Sequence, residues 1–339
     1  MCTSPAKLCP PCSSLGLQRD DFERPPFEPE GRYNSLVLSG SVGYLQEQKN
    51  LCPLCYLILE ALSKNEGQSL DEQDDDTQWE VTWSQNNQEY DPDSSEAEDL
   101  YGSGLYPRLK VEGSHGDHCV QLMDASTTKG FLRGREIPET IDPDMIKRWM
   151  ERCAKLHGED CKQTFLRVGP HPASSMDLMV IDVNKKCLVN MPSGAKYVAL
   201  SYVWGQANFL TTLRSNVSEF QEQGAFSKII PPRTIQDAIE LTEGIGFQYL
   251  WIDALCIVQD EDESKRLLIS NMDAIYGHAA LTIIAASGTN ADVGLGGFKS
   301  HSAERQIPSR VMGPGWKLGV FTAFDAALMY STHAKRGWT

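Results

Sequence analysis

The sequence predicts an α/β protein, with a mainly parallel sheet and crossover helices in its C-terminal half and an α+β module before it. Three observations carry this. After Pro170, short apolar runs alternate with helical periodicity in the order strand, helix, strand, helix, strand, the order that crossover connections between parallel strands generate. The run Tyr197-Val-Ala-Leu-Ser-Tyr202 is largely apolar on both faces, as a strand covered by helices on both sides must be. The N-terminal half instead combines one strongly apolar helix with isolated strand-like alternation and long polar stretches.

Each element has its own signal. Met179-Val-Ile-Asp-Val183 and Cys187-Leu-Val189 predict a hairpin. The buried strand from Tyr197 ends in Val203-Trp204-Gly205. Pro231-Pro-Arg-Thr234 predicts a helix start with Thr234 as N-cap; Ile235, Ala238, Ile239, Thr242 and Ile245 have core-facing spacing, and Gly244 and Gly246 stop the helix. Tyr249-Leu-Trp-Ile252 is the next strand, Asp260 to Lys265 opens a helix burying Leu268, Met272 and Ile275, and Leu281-Thr-Ile-Ile-Ala285 is a strand leading into a glycine-rich loop, Gly288 to Gly297. In such a sheet the functional groups lie at the strand C-terminal ends.

The domain from 170 to 339 follows two N-terminal segments. Residues 1–50 form a Pro-rich arm, with Cys9-Pro-Pro-Cys12 and Pro25-Pro-Phe-Glu-Pro29 predicted to be extended and poorly packed. Residues 51–169 form a module that opens with a helix over Leu51 to Leu62, contains strands at Trp79–Trp83 and Cys119–Met123, and closes with a helix from Pro143 to about His157. Within it, Ser63 to Leu100 carries thirteen acidic residues against one Lys. Two solvated arms around one strand are expected there.

The 339 residues carry 31 basic and 46 acidic side chains, a net charge of −15, which argues against nucleic-acid or anionic-membrane binding. The acidic segment accounts for −12 of this, so the remainder is near neutral. No apolar run reaches the roughly 18 residues of a membrane span, and no signal-peptide core follows Met1. A soluble, cytoplasmic protein is expected. Its ten cysteines are too sparse for a disulfide scaffold and read as thiols or metal ligands.

Two Cys-x-x-Cys pairs, Cys9/Cys12 and Cys52/Cys55, and the series Cys153, His157, Cys161 have ligand spacing. Zinc takes four tetrahedral thiolate or imidazole ligands. Cys52 and Cys55 with His157 and Cys161, or with Cys153 as the alternative, would make one structural zinc site; otherwise these cysteines are small core hydrophobes. Gly294-Leu-Gly-Gly297 lacks the spacing of a dinucleotide or phosphate loop. The densest polar group, Asp253-Ala-Leu-Cys-Ile-Val-Gln-Asp260, follows an apolar strand and has Ser201, Tyr202 and Trp204 at the end of a neighbouring one. Ser201, Tyr202, Trp204, Asp253, Cys256, Gln259 and Asp260 are candidates to line a pocket there. The competing interpretation is structural, with Asp253 capping a turn, Cys256 in the core, and Gln259 and Asp260 capping the next helix.

The succession Tyr197-Val-Ala-Leu-Ser-Tyr-Val-Trp-Gly205, Pro232-Arg-Thr-Ile-Gln-Asp-Ala238, Tyr249-Leu-Trp-Ile-Asp-Ala-Leu-Cys-Ile-Val-Gln-Asp260, Met272-x-x-Ile-Tyr276 and Ala280-Leu-Thr-Ile-Ile-Ala285 resembles the HET (heterokaryon incompatibility) domain of filamentous fungi over Tyr197 to Thr339. Leu51-Cys-Pro-Leu-Cys55 and Trp149-x3-Cys153-x3-His157-x3-Cys161 are similar to the extension that precedes it in that family. The resemblance implies a cytosolic protein of non-self recognition that triggers cell death through protein partners or self-assembly. It also implies a TIR-like, flavodoxin-like fold, and with it NAD as a substrate in the alternative of a TIR-like NAD glycohydrolase. In that comparison Leu200-Ser201-Tyr202 ends the first TIR strand. The family pattern continues Arg-x-Trp-Thr-x-Gln-Glu, and the sequence stops at Arg336-Gly-Trp-Thr339; the expected catalytic glutamate would lie beyond it, as in a truncated domain. A nucleophilic Cys256, with His278, His301 or His333 as base, is a further alternative.

Overall fold

The computed structural model describes residues 7–22, 36–63, 76–85, 107–112, 118–123, 136–157, 178–205, 210–286, 288–298, 307–322 and 331–334. The chain divides into two compact units, Met1–Ile137 with Gln306–Tyr330, and Pro138–Arg305 with Ser331–Thr339. Each has its own apolar core.

The first unit is a six-stranded antiparallel sheet with one main helix against it. Its strands are β1 (Leu36–Ser41), β2 (Gln78–Gln85), β3 (Pro107–Glu112), β4 (His118–Met123), β10 (Ser309–Gly313) and β11 (Trp316–Thr322), in the order β1-β2-β3-β4-β11-β10. The strands predicted at Trp79–Trp83 and Cys119–Met123 are β2 and β4. β1, β3, β10 and β11 had no predicted counterpart. On β2 and β3, Trp79, Val81, Trp83, Leu109 and Val111 are buried at alternate positions, the period-2 signature of a sheet with one covered face. Helices α1 (Pro10–Ser14), α2 (Val42–Gln48) and α3 (Pro53–Ser63) precede β2. α3 lies against β3, β4, β10 and β11 and buries Leu54, Cys55, Leu57, Ile58, Leu59, Ala61 and Leu62, so the helix predicted from Leu51 forms with its apolar face inward. Residues 7–22 are packed, contrary to the extended arm expected from their prolines. Cys12 and Phe22 are buried, and the Phe22 ring meets Trp83 at 5.2 Å and Trp316 at 6.1 Å between centroids. Burial of sulfur and aromatic side chains outweighs the local preference for an open chain.

The second unit holds a five-stranded sheet in the order β6-β5-β8-β7-β9. These strands are β5 (Met179–Asp182), β6 (Cys187–Asn190), β7 (Tyr197–Ser201), β8 (Tyr249–Ile252) and β9 (Leu281–Ile284). β7 is parallel to both β8 and β9, whereas β5 is antiparallel to β6 and β8. The sheet predicted as mainly parallel is therefore mixed. The cause is the tight turn after Asp182, which can only return its strand antiparallel. Helices are α4 (Pro143–His157), α5 (Val217–Phe220), α6 (Ala225–Lys228), α7 (Arg233–Gly244), α8 (Asp253–Cys256), α9 (Asp262–Ile269) and α10 (Met272–His278). Helical chain links β7 to β8 through α5, α6 and α7, and β8 to β9 through α8, α9 and α10. The single helix predicted to bury Leu268, Met272 and Ile275 is interrupted at Ser270–Asn271. α7 ends as predicted, and the left-handed Gly246 (φ 87°) lets its own amide reach the Glu243 carbonyl and the Phe247 amide reach that of Thr242.

Candidate functional site

β7 fixes the site because all five of its residues are buried and its end carries the chain into Tyr202-Val-Trp204. Ser201 Oγ lies 2.7 Å from His333 Nε2, and both residues are buried. Trp204 Nε1 donates to both oxygens of Asp253 at 3.1 Å, joining the end of β7 to the start of α8. Asp253 also accepts the Ala254 amide at 2.8 Å, so its carboxylate is held by an indole and the first turn of a helix.

The other predicted residues sit around this pair in different roles. Gln259 Nε2 donates to the carbonyls of Asp253 and Ile257, and its amide donates to the Thr212 carbonyl. Asp260 accepts the Arg214 amide at 2.8 Å. Neither caps α9, whose preceding residue is Glu261; together they dock residues 212–214 onto the α8 turn. Tyr202 is buried in the core of the unit. Cys256 is the buried last residue of α8, with Sγ 3.3 Å from the Ile252 amide and 3.8 Å from the Leu250 carbonyl. Burial pushes its thiol up to about 12, far from the depressed range of nucleophilic cysteines. Of the histidines weighed as its base, His278 Nδ1 contacts the Ala274 carbonyl, His333 contacts Ser201, and His301 lies outside the described residues.

The glycine-rich loop belongs to the same end of the sheet. Thr234 is not the N-cap of α7, because Pro232 occupies that position and the helix begins at Arg233. Its hydroxyl accepts the Gly294 amide at 3.1 Å, Asp237 Oδ2 accepts the Leu295 amide at 2.9 Å, and the Thr234 amide donates to Ala291. The Ala291 amide in turn donates to the Trp204 carbonyl. Thr234 and Asp237, both buried, thus clamp the loop beside the end of β7. Asp237 was not singled out from sequence. Its visible signal is a carboxylate among the core-facing positions of α7, otherwise filled by Ile, Ala, Leu and Thr.

The first unit holds a second cluster. The sulfurs of Cys9, Cys12, Cys52 and Cys55 all lie within 4.8 Å of one another, and all four residues are buried. Cys55 Sγ is 3.6 Å from that of Cys9 and 3.7 Å from that of Cys12. Hydrogen bonds with Cys52 and Cys55 raise the Cys12 thiol, and the bond with Cys12 lowers Cys52, as expected of groups that titrate together. Among the described residues, the sulfurs beside Cys52 and Cys55 are those of Cys9 and Cys12; the His157 side chain and Cys161, named with them from sequence, lie outside the described residues. Cys153 is exposed on α4.

The model of the family described as heterokaryon incompatibility protein (HET) matches residues 197–339. Comparison with curated proteins and with solved structures returns no match. The matched segment begins at the first residue of β7 and includes Trp204, Asp253, Thr234, Asp237 and the loop they hold. Its similarity supports a HET-domain protein. Among the described residues no helix is long and apolar enough to cross a membrane.

Proposed function

We propose that the chain acts in heterokaryon incompatibility, with residues 197–339 as the module that triggers programmed cell death when genetically different cells of a filamentous fungus fuse. The observation that carries this is the HET match beginning at β7. A TIR-like or flavodoxin-like core fits the reading. Counted from β7, the order β8-β7-β9 is second, first, third, the order with which flavodoxin-like sheets begin. The β5–β6 hairpin is then an addition on the β8 edge.

Signalling through protein partners or self-assembly in the cytoplasm is favoured over NAD cleavage. The polar groups at the strand ends are occupied with one another: Asp253 with Trp204, Ser201 with His333, and Gln259 with backbone carbonyls. Such a network builds a rigid surface. The test is expression of the full chain from an inducible promoter in a filamentous fungus, with colony growth and cellular NAD measured together. Growth arrest with unchanged NAD is expected, and Trp204→Phe, which removes the donor to Asp253, should weaken it. NAD loss in step with expression would favour the glycohydrolase, and growth unaffected at high expression would overturn the proposal.

A further inference from the structure

We propose that Cys9, Cys12, Cys52 and Cys55 bind one zinc ion as a tetrathiolate site that fastens the N-terminal segment to the start of α3. The sulfur geometry is the first argument. Zinc–thiolate bonds of about 2.3 Å in a tetrahedron place sulfurs about 3.8 Å apart, and Cys55 stands 3.6 and 3.7 Å from Cys9 and Cys12. The second is that both pairs have the same local construction. Cys9 immediately precedes α1 and Cys52 immediately precedes α3, each helix begins with proline, and Cys12 and Cys55 lie in the first turns. Proline in that position forfeits only an amide that the helix leaves unbonded, so each Cys-x-x-Cys presents two sulfurs from one rigid turn.

Ordinary core packing gives no reason for four cysteine sulfurs, drawn from segments some forty residues apart, to converge on one point in a core otherwise built of Leu, Ile, Val, Ala, Met and aromatic side chains. The donor set narrows the ligand. Four thiolates without carboxylate or imidazole select a soft, tetrahedral metal, and sulfurs all within 4.8 Å enclose a single ion, whereas a multi-iron cluster would hold some of its ligands further apart. The ion would close the chain between Cys12 and Cys52, so the packing of Leu17 and Phe22 in this core depends on it.

The experiment uses the full chain purified without chelator. Elemental analysis should give about one zinc per chain, released in step with four thiols on titration with a mercurial reagent. X-ray absorption at the zinc edge should show four sulfurs at about 2.3 Å and no nitrogen. Cys12→Ser and Cys55→Ser should lose the metal, and Cys153→Ser should keep it. The absorption measurement on the unmodified chain decides the matter even if the serine variants do not fold. Less than about half an equivalent of zinc, nitrogen or oxygen in the shell, a coloured iron site, or full metal retention by Cys12→Ser would each overturn the proposal.

Discussion

Replacing Gly294 by Ala tests the clamp between α7 and the glycine-rich loop. Gly294 has φ 85°, and a Cβ there would stand 2.7 Å from Asp237 Oδ2 and 3.1 Å from Arg233 Nε. Two costs follow. A left-handed backbone costs an L-residue about 1–2 kcal/mol. Displacing Asp237 breaks its bond to the Leu295 amide, and an orphaned buried group costs about 1–3 kcal/mol. The sum is about 2–5 kcal/mol, which in a unit of this size lowers the melting temperature by on the order of 10 °C. Because the chain has two compact units, the readout must be local. Hydrogen exchange of the β7 and β8 amides under increasing urea reports the second unit alone. In an Asp237→Ala background the contact with Oδ2 is gone, so the same glycine replacement should cost only the backbone part. A loss below about 0.5 kcal/mol in the single variant, the level of a neutral surface change, would refute the clamp.

Other outcomes follow from single groups. Burial opposes the charge of Asp182, but the Lys185 and Asn184 amides, the Gln248 side chain and the Lys185 charge outweigh it and lower its pKa. A depressed carboxylate contributes stability that is complete above its unfolded value and is lost as pH falls through the folded one. Stability of the second unit, read by the same exchange method, should therefore decline below about pH 4, and Asp182→Asn should flatten that acid limb; an unchanged limb would contradict the assignment. Cys256, buried and pushed up to about 12, should resist alkylation by iodoacetamide at pH 8 in the folded chain and react in urea. Rapid labelling of the native protein would reopen its reading as a nucleophile.

The strands of the second unit and its helix α7 were legible because each announces itself within a few residues, whereas the one-turn helices α5, α6 and α8 had no predicted counterpart. The apolar run at Tyr197, the glycines closing α7 and the turn after Asp182 all act locally, and the structure contains each. The HET resemblance was legible for the same reason, since its motifs are continuous strings. The interruption at Ser270–Asn271 was less visible, because helical spacing of Leu268, Met272 and Ile275 survives the break.

Sequence by itself thus determined the strands β5 to β9, the apolar helix before the acidic segment, and the polar group that follows β8. Tertiary structure decided which distant pieces meet. It added β10 and β11 to the sheet begun by β1. It set Trp204 on Asp253 and His333 on Ser201, and it gave Cys52 and Cys55 the sulfurs of Cys9 and Cys12 as neighbours. The physical reason is that periodicity reports which face of a segment is apolar, whereas the partner of that face is chosen by burial summed over the whole core. Closing a longer loop adds little entropy cost, so chain distance does not rank the candidates: to Cys52, a cysteine forty residues before it was no more costly to reach than a histidine a hundred residues after it.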